Sequence, residues 1–341
     1  MLAAVKVGPS AADILEVPRP EPGPGEVLVR VRACGICASD LAGWSAPVSG
    51  PGTPGRWNAD NPGITGHEVS GDIAGVGTGV DTARVGEAVW IDPIVGCGDC
   101  EHCRAGRQTL CGRVSIVCQG FAEYVVAPAR QCRPIPPGGF DYVTASLIPD
   151  MVGTPIAAVN RAGIRPGEAV AVWGLGPVGL GLAQAALIAG ASLVIGIDPV
   201  PSRRARAHTL GIEALDAGPS SLEQVRERTA GTGPDVVLCS VAGEGVARQA
   251  YEALRLGGRM VTVSGTTAAG GQTRKWVSGS WGCDECNWPQ VLDDLVERRF
   301  VLDDYVTNVF PLDRIEEAFA LRADDLDGSF KVVIGIDPPS E

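Results

Sequence analysis

Residues 169–198, AVAVWGLGPVGLGLAQAALIAGASLVIGID, constrain the fold of this chain more than any other stretch. Ala169–Trp173 is an apolar run of the length of a buried strand. Gly174-Leu175-Gly176-Pro177-Val178-Gly179 supplies a G-x-G-x-x-G turn, and a helical pattern follows from Pro177 to about Ala189, stopped by Gly190. A second apolar run, Leu193–Ile197, ends at Asp198. This order of strand, glycine turn, helix, strand and acid is that of a dinucleotide-binding unit. The first glycine permits the tight turn, the second lets backbone approach a pyrophosphate, and the third lets helix pack on strand. Pro177 suits a first helical turn, where its missing N–H has no intrahelical partner to lose. The helix N-terminus offers free N–H groups and a positive dipole end to phosphate.

Asp198 stands 19 residues after Gly179. That is close to the ~20 of the acid that accepts hydrogen bonds from ribose hydroxyls. A carboxylate there repels a 2′-phosphate and favours NAD over NADP. Arg203 and Arg204 pull the other way, and Arg203 joins the cofactor-binding candidates. Residues 169–197 carry no charge, and an uncharged run longer than ~18 residues is also a membrane-helix candidate. Six glycines, one proline and a period that changes from strand to helix and back favour the folded unit instead.

The 341 residues suggest two domains or one large one, and 45% hydrophobic content with 46 glycines fits an α/β protein rich in tight turns. A net charge of -12 argues against nucleic acid or an anionic membrane as main partner. The first residues, MLAAVKVGPS, read as a strand enclosing a lysine and show no signal peptide. Short strands and Pro/Gly turns fill residues 2–33, including the alternating Glu26–Arg32. Residues 44–63 lack periodicity and read as a long loop. Strands are expected in 69–80, 87–91 and 122–127, with helical pattern over 141–159 crossing into the nucleotide domain. Further parallel strands are expected at 236–240 and 259–264, then a helix at 312–323 and a strand at 331–336 that return to the first domain.

Cys97-x2-Cys100-x2-Cys103-x7-Cys111 is a second constraint. Four thiolates on one small loop can wrap an ion tetrahedrally, and a closed sulfur shell is structural. A ferredoxin-type cluster run ends x3-C-P, whereas here the last gap is seven and Gly112 follows. Eleven cysteines, clustered rather than spread, suggest metal in a reducing cytoplasm. Cys37, His67 and Asp150 are not joined by spacing. Taken singly, they read as a small buried residue, a core histidine and a helix cap.

The chain resembles the zinc-dependent medium-chain alcohol and polyol dehydrogenases nearly end to end. The matching pieces are Cys-Gly-Ile-Cys-x-Ser-Asp at 34–40, Gly-His-Glu at 66–68, the four-cysteine lobe, Gly174–Gly179 and Asp198. The resemblance implies a GroES-like β-rich catalytic domain (1–153 and 297–341) and a doubly wound Rossmann domain (154–296) that binds NAD, with the active site in the cleft between them. It implies a catalytic zinc on Cys37, His67 and Asp150, with Glu68 a fourth ligand or close neighbour, and a structural zinc on Cys97, Cys100, Cys103 and Cys111. Ser39 would take the first proton, and Thr154 would pack against the nicotinamide. Pro149-Asp150-Met151 resembles the bacterial secondary-alcohol branch.

Two departures stand out. Leu41-Ala42 occupies a place where many members carry a relay histidine, and the step of 30 residues from Cys37 to His67 is long. The added residues fall in the 44–63 loop, whose Trp44, Trp57, Asn58, Asp60 and Asn61 suit a polyhydroxylated or aminated ring. Cys283-x2-Cys286 falls where relatives pair edge strands to dimerise, and reads as two surface or interface thiols. The expected enzyme interconverts a secondary alcohol and a ketone of a small molecule, as a homodimer or homotetramer. A simple secondary-alcohol dehydrogenase and a non-catalytic NAD-binding redox scaffold are the alternatives.

Overall fold

The computed structural model describes residues 1–46, 66–265 and 274–336, and the chain divides into two compact units, Met1–Pro149 with Leu302–Glu341 and Asp150–Val301. In the first unit, the alternating Glu26–Gly35 segment forms the strand around which a seven-stranded sheet is laid. It pairs antiparallel with Glu68–Val76, Tyr124–Pro128 and Lys331–Gly335. Ala88–Ile91 and Cys132–Pro134 extend the sheet on one side, and Val306–Pro311 pairs with Lys331–Gly335 on the other. The C-terminal strand thus sits in the sheet of the N-terminal segment. Val29, Val31, Ile73, Val89, Phe121 and Phe319 are among the buried residues of its core. Each buried aliphatic or aromatic side chain contributes about 1.5–3 kcal/mol by leaving water.

The helix Ala38–Ser45 is gripped at its C-terminal end by the N-terminal hairpin. Lys6 Nζ donates to the carbonyls of Gly43 and Ala46, and Ser10 N donates to Trp44 O at 2.9 Å. These are carbonyls of the last turn, which have no partner within the helix. The lysine inside the first strand therefore serves a helix end, and burial lowers its pKa from the ordinary value. Trp44 lies in this helix and not in the expected loop. It is buried, with its ring stacked 4.6 Å from that of Phe319, because that aromatic face removes more apolar surface from water than an exposed loop would. Trp57, Asn58, Asp60 and Asn61 lie outside the described residues.

The second unit carries a six-stranded parallel sheet in the order Glu213–Leu215, Leu193–Ile197, Ala169–Trp173, Val236–Cys239, Arg259–Thr262, Trp276–Gly279. The chain enters at Ala169–Trp173, builds outward, then returns to build the other side. Ligands of such sheets bind beyond the strand ends where the order reverses. The run Ala169–Asp198 folds as strand, helix Pro177–Ile188 and strand, and no helix among the described residues is long and apolar enough to cross a membrane. Gly174 has φ +87°, a left-handed value that favours glycine. A Cβ at Gly179 would stand 1.8 Å from Gly174 O, so the helix approaches the strand end as closely as it does only because residue 179 has no side chain.

Between Tyr142–Ser146 and the helix Thr154–Ala162, residues Ile148–Gly153 form a π-helix. Such segments are rare and recur at functional sites. Asp150 lies within it, which a reading of helical period over 141–159 did not distinguish.

Candidate active site and metal centres

Cys37 precedes the helix Ala38–Ser45, His67 directly precedes the strand Glu68–Val76 that Glu68 opens, and Asp150 sits in the π-helix. One ligand atom from each of the four lies within 4.8 Å of the others. Sulfur, imidazole nitrogen and carboxylate oxygen are the donor set that zinc takes. Asp40, which the sequence presents only as part of a motif, organises this group. One of its oxygens accepts from Cys37 N at 2.8 Å, and the other lies 3.9 Å from His67 Nδ1. The carboxylate places a negative charge beside the imidazole.

Glu68 is fully buried and paired with Lys331, whose Nζ lies 2.5 Å from Oε2 and also donates to Ile36 O at 3.0 Å. A buried carboxylate needs such a partner, since an isolated charge away from water is prohibitively costly. The pair is accommodated by Gly35, where a Cβ would meet Glu68 Oε2 at 2.2 Å and Lys331 Cε at 3.1 Å. Lys331 was legible as a lone charge in the apolar run Phe330–Ile334, but its partner was not. Burial, then the charges of Asp40 and Glu68, push the Cys34 thiol well above its ordinary pKa, so it stays a neutral core residue.

Around the glycine turn, Asp198 is 2% exposed and its carboxylate accepts from Leu175 N at 2.7 Å and Val200 N at 2.8 Å. Arg203 Nη1 stands 3.6 Å from the same carboxylate, and Arg204 donates to Asp198 O and to Asp216. Gly176, Pro177 and Val178 open the helix that follows. Arg203 Nε and the hydroxyl of Thr154, the first residue of its helix, are among the buried polar atoms that have no hydrogen-bond partner within the described residues. Buried polar groups are ordinarily satisfied. A dinucleotide bearing phosphates, ribose hydroxyls and a carboxamide offers the missing partners, so the residues fit the cofactor.

In the four-cysteine lobe the sulfurs of Cys97, Cys100, Cys103 and Cys111 all lie within 4.8 Å of one another, and Cys97 Sγ is 3.9 Å from Cys103 Sγ. A tetrahedron with Zn–S of ~2.3 Å has edges of about 3.8 Å, so the four fit one zinc ion. Backbone N–H groups of Cys97 and Arg113 point at Cys111 Sγ and lower its pKa from 9.0 to about 6. A thiol held below its ordinary value stabilises the fold above that value, and the stabilisation is lost as pH falls through the folded one. Protons compete with the metal for the four thiolates, so the lobe is expected to release zinc and lose melting temperature on acidification. Zinc content and melting temperature that do not change from neutral pH to strongly acidic pH would contradict this.

Ser39 is exposed on the first turn of the helix Ala38–Ser45. Cys283 is buried within its own unit, contrary to the expected surface or interface thiol. It packs on Gly153, where a Cβ would come 2.9 Å from Cys283 Cβ, which draws this side chain into the core. Cys286 is exposed, and neither joins a metal group among the described residues.

Residues 23–137 match the family model for the alcohol dehydrogenase GroES-like domain, and residues 177–297 that for zinc-binding dehydrogenase. The sorbitol dehydrogenase of Bacillus subtilis (strain 168) is 34% identical over 77% of this chain and 74% of its own. The L-galactonate-5-dehydrogenase of Escherichia coli (strain K12) is 32% identical over 72% of this chain and 70% of its own. The solved alcohol dehydrogenase from Thermus sp. ATN1 superimposes with a TM-score of 0.86 at 28% identity, covering 99% of this chain and 100% of that one.

Proposed function

The chain belongs to the zinc-dependent medium-chain alcohol and polyol dehydrogenases, and from that premise we propose that it interconverts a secondary alcohol and a ketone on a polyol, cyclitol or aminosugar-like substrate, with NAD preferred to NADP. The proposal rests on the gathering of Cys37, His67, Glu68 and Asp150. The polyhydroxylated compounds named in the sorbitol and L-galactonate relatives support the substrate class.

When bound, zinc supplies Lewis acidity toward a hydroxyl oxygen and NAD supplies the hydride acceptor. Cys37, His67 and Asp150 would hold the metal, and Asp40 sets a negative charge beside the imidazole. Lys331 neutralises Glu68 beside them. Ser39, exposed at the helix start, takes the hydroxyl proton and passes it to solvent, since Leu41-Ala42 provides no histidine relay. Asp198 would receive the adenosine ribose, Arg203 and the Gly174–Gly179 turn would bind the phosphates, and Thr154 would pack against the nicotinamide.

A panel followed by NADH absorbance tests the substrate class. Sorbitol, xylitol or an inositol should exceed 2-butanol in kcat/KM by about tenfold or more, because a site built to bind hydroxyls loses their hydrogen bonds with a plain alcohol. The reverse order would favour a simple secondary-alcohol dehydrogenase. Absence of turnover with all of them, with one zinc per chain, would favour a non-catalytic scaffold.

For assembly, we propose that two copies meet at the edge strand Trp276–Gly279. Trp276 is 75% exposed and Val277 and Trp281 are exposed nearby, on a strand paired on one side only among the described residues. An open apolar edge is a template for another chain. Trp276→Glu is expected to shift the mass in sedimentation toward the monomer, and an unchanged oligomer would refute this edge. The thiol-rich composition supports a reducing, cytoplasmic setting.

A further inference from the structure

Gly181 lies on the helix Pro177–Ile188, four residues beyond Pro177, which is about 6 Å along the axis from the cofactor turn. A Cβ at this position would stand 2.5 Å from the carbonyl oxygen of Met151, 2.7 Å from Pro155 Cγ and 3.3 Å from Phe300 Cζ. Met151 adjoins Asp150 in the π-helix Ile148–Gly153. The helix does not yield easily at this point. Three residues on, the Gln184 side chain exchanges two hydrogen bonds of 3.0 Å with the backbone of Val301. The far end of the π-helix is packed as tightly, since a Cβ at Gly153 would lie 2.7 Å from Trp288 Cη2. The segment bearing Asp150 is thus held by contacts on residues that have no side chains.

The geometry points to Gly181 as a positioning residue for the candidate metal carboxylate. Its bare Cα lets the Met151 carbonyl rest directly on the cofactor helix, so the place of Asp150 follows the place of that helix. Phosphate bound at the glycine turn steadies the helix N-terminus, and through this contact steadies the hold of Asp150 on the metal. The inference rests on the reading of Asp150 as a zinc ligand. Gly181→Ala would force a backbone oxygen, not the tip of a flexible side chain, to move.

The test is zinc release from the zinc-loaded full chain to a coloured chelator, with a cooperative melt as the check of folding. Gly181→Ala is expected to lose one zinc about tenfold faster or more, as supporting contacts of ligands do, while the zinc of the cysteine lobe leaves at its usual rate. Gly245→Ala, on the helix Glu244–Ala253 where a Cβ meets no atom within 4 Å, is the control and should leave both rates unchanged. In the unsubstituted chain, ADP, which has phosphates but no nicotinamide to shield the metal, should slow loss of the same zinc severalfold. Folded Gly181→Ala with unaltered release overturns the inference. If that variant does not fold, absence of an ADP effect overturns it. A chain that binds only one zinc, or an Asp150→Asn variant that releases both ions at normal rates, would instead refute the reading of Asp150 on which it rests.

Discussion

His67→Ala is expected to lower kcat/KM by about a thousandfold or more, since several kcal/mol of metal assistance to the alkoxide depend on it and each 1.36 kcal/mol is a factor of ~10. Zinc content should fall from two ions per chain to one, because the two ligand groups share no residue. The remaining donors leave an ion held by a thiolate and carboxylates, too few and too poorly oriented to retain it against dilution. Asp40→Asn provides a graded comparison. It keeps the shape of the group but weakens the acceptor for Cys37 N and the anion beside His67, so about a 10–100-fold loss is expected. Metal analysis and steady-state kinetics check both. A His67→Ala chain that kept two zinc ions and normal turnover would remove this residue from the mechanism.

Asp198→Asn should raise the KM for NAD by about tenfold to a hundredfold and narrow the preference over NADP by a larger factor. In the native chain the carboxylate accepts from Leu175 N and Val200 N and stands 3.6 Å from Arg203 Nη1. An amide in its place turns one donor toward a donor, which costs about 1–3 kcal/mol in an unsatisfied buried group. The same change removes the charge that repels a 2′-phosphate and leaves Arg203 without its acid, so the arginine becomes a partner for that phosphate. Melting temperature should fall by about 5 °C as the turn loses its anchor. The check is the ratio of kcat/KM for the two cofactors. An unchanged ratio would show that Asp198 does not read the ribose.

What could be read from the chain beforehand divides along the range of the interactions. The run Ala169–Asp198 was legible because its period, its glycines and its acid are all local, and strand, turn and helix appear where that pattern places them. The cysteine lobe was legible for the same reason, its four ligands lying within 15 residues. The joining of Cys37, His67 and Asp150 followed from resemblance, since no local pattern links a helix boundary, a strand start and a π-helix. Lys331 and Glu68 are separated by 263 residues, and nothing near either announces the other. Trp44 failed for the same cause. In sequence it borders a Pro/Gly-rich stretch, yet its ring finds Phe319 on a helix near the other end of the chain. The role of Asp40 was present in its motif but invisible without the distances to Cys37 and His67.

Stepwise removal of zinc from the full chain, with NADH formation from a polyol followed at each step, bears most directly on the central claim. The rate is predicted to fall in proportion to loss of the ion from the Cys37, His67 and Asp150 group and to return when zinc is restored. Full turnover by a chain shown to hold no zinc would contradict it.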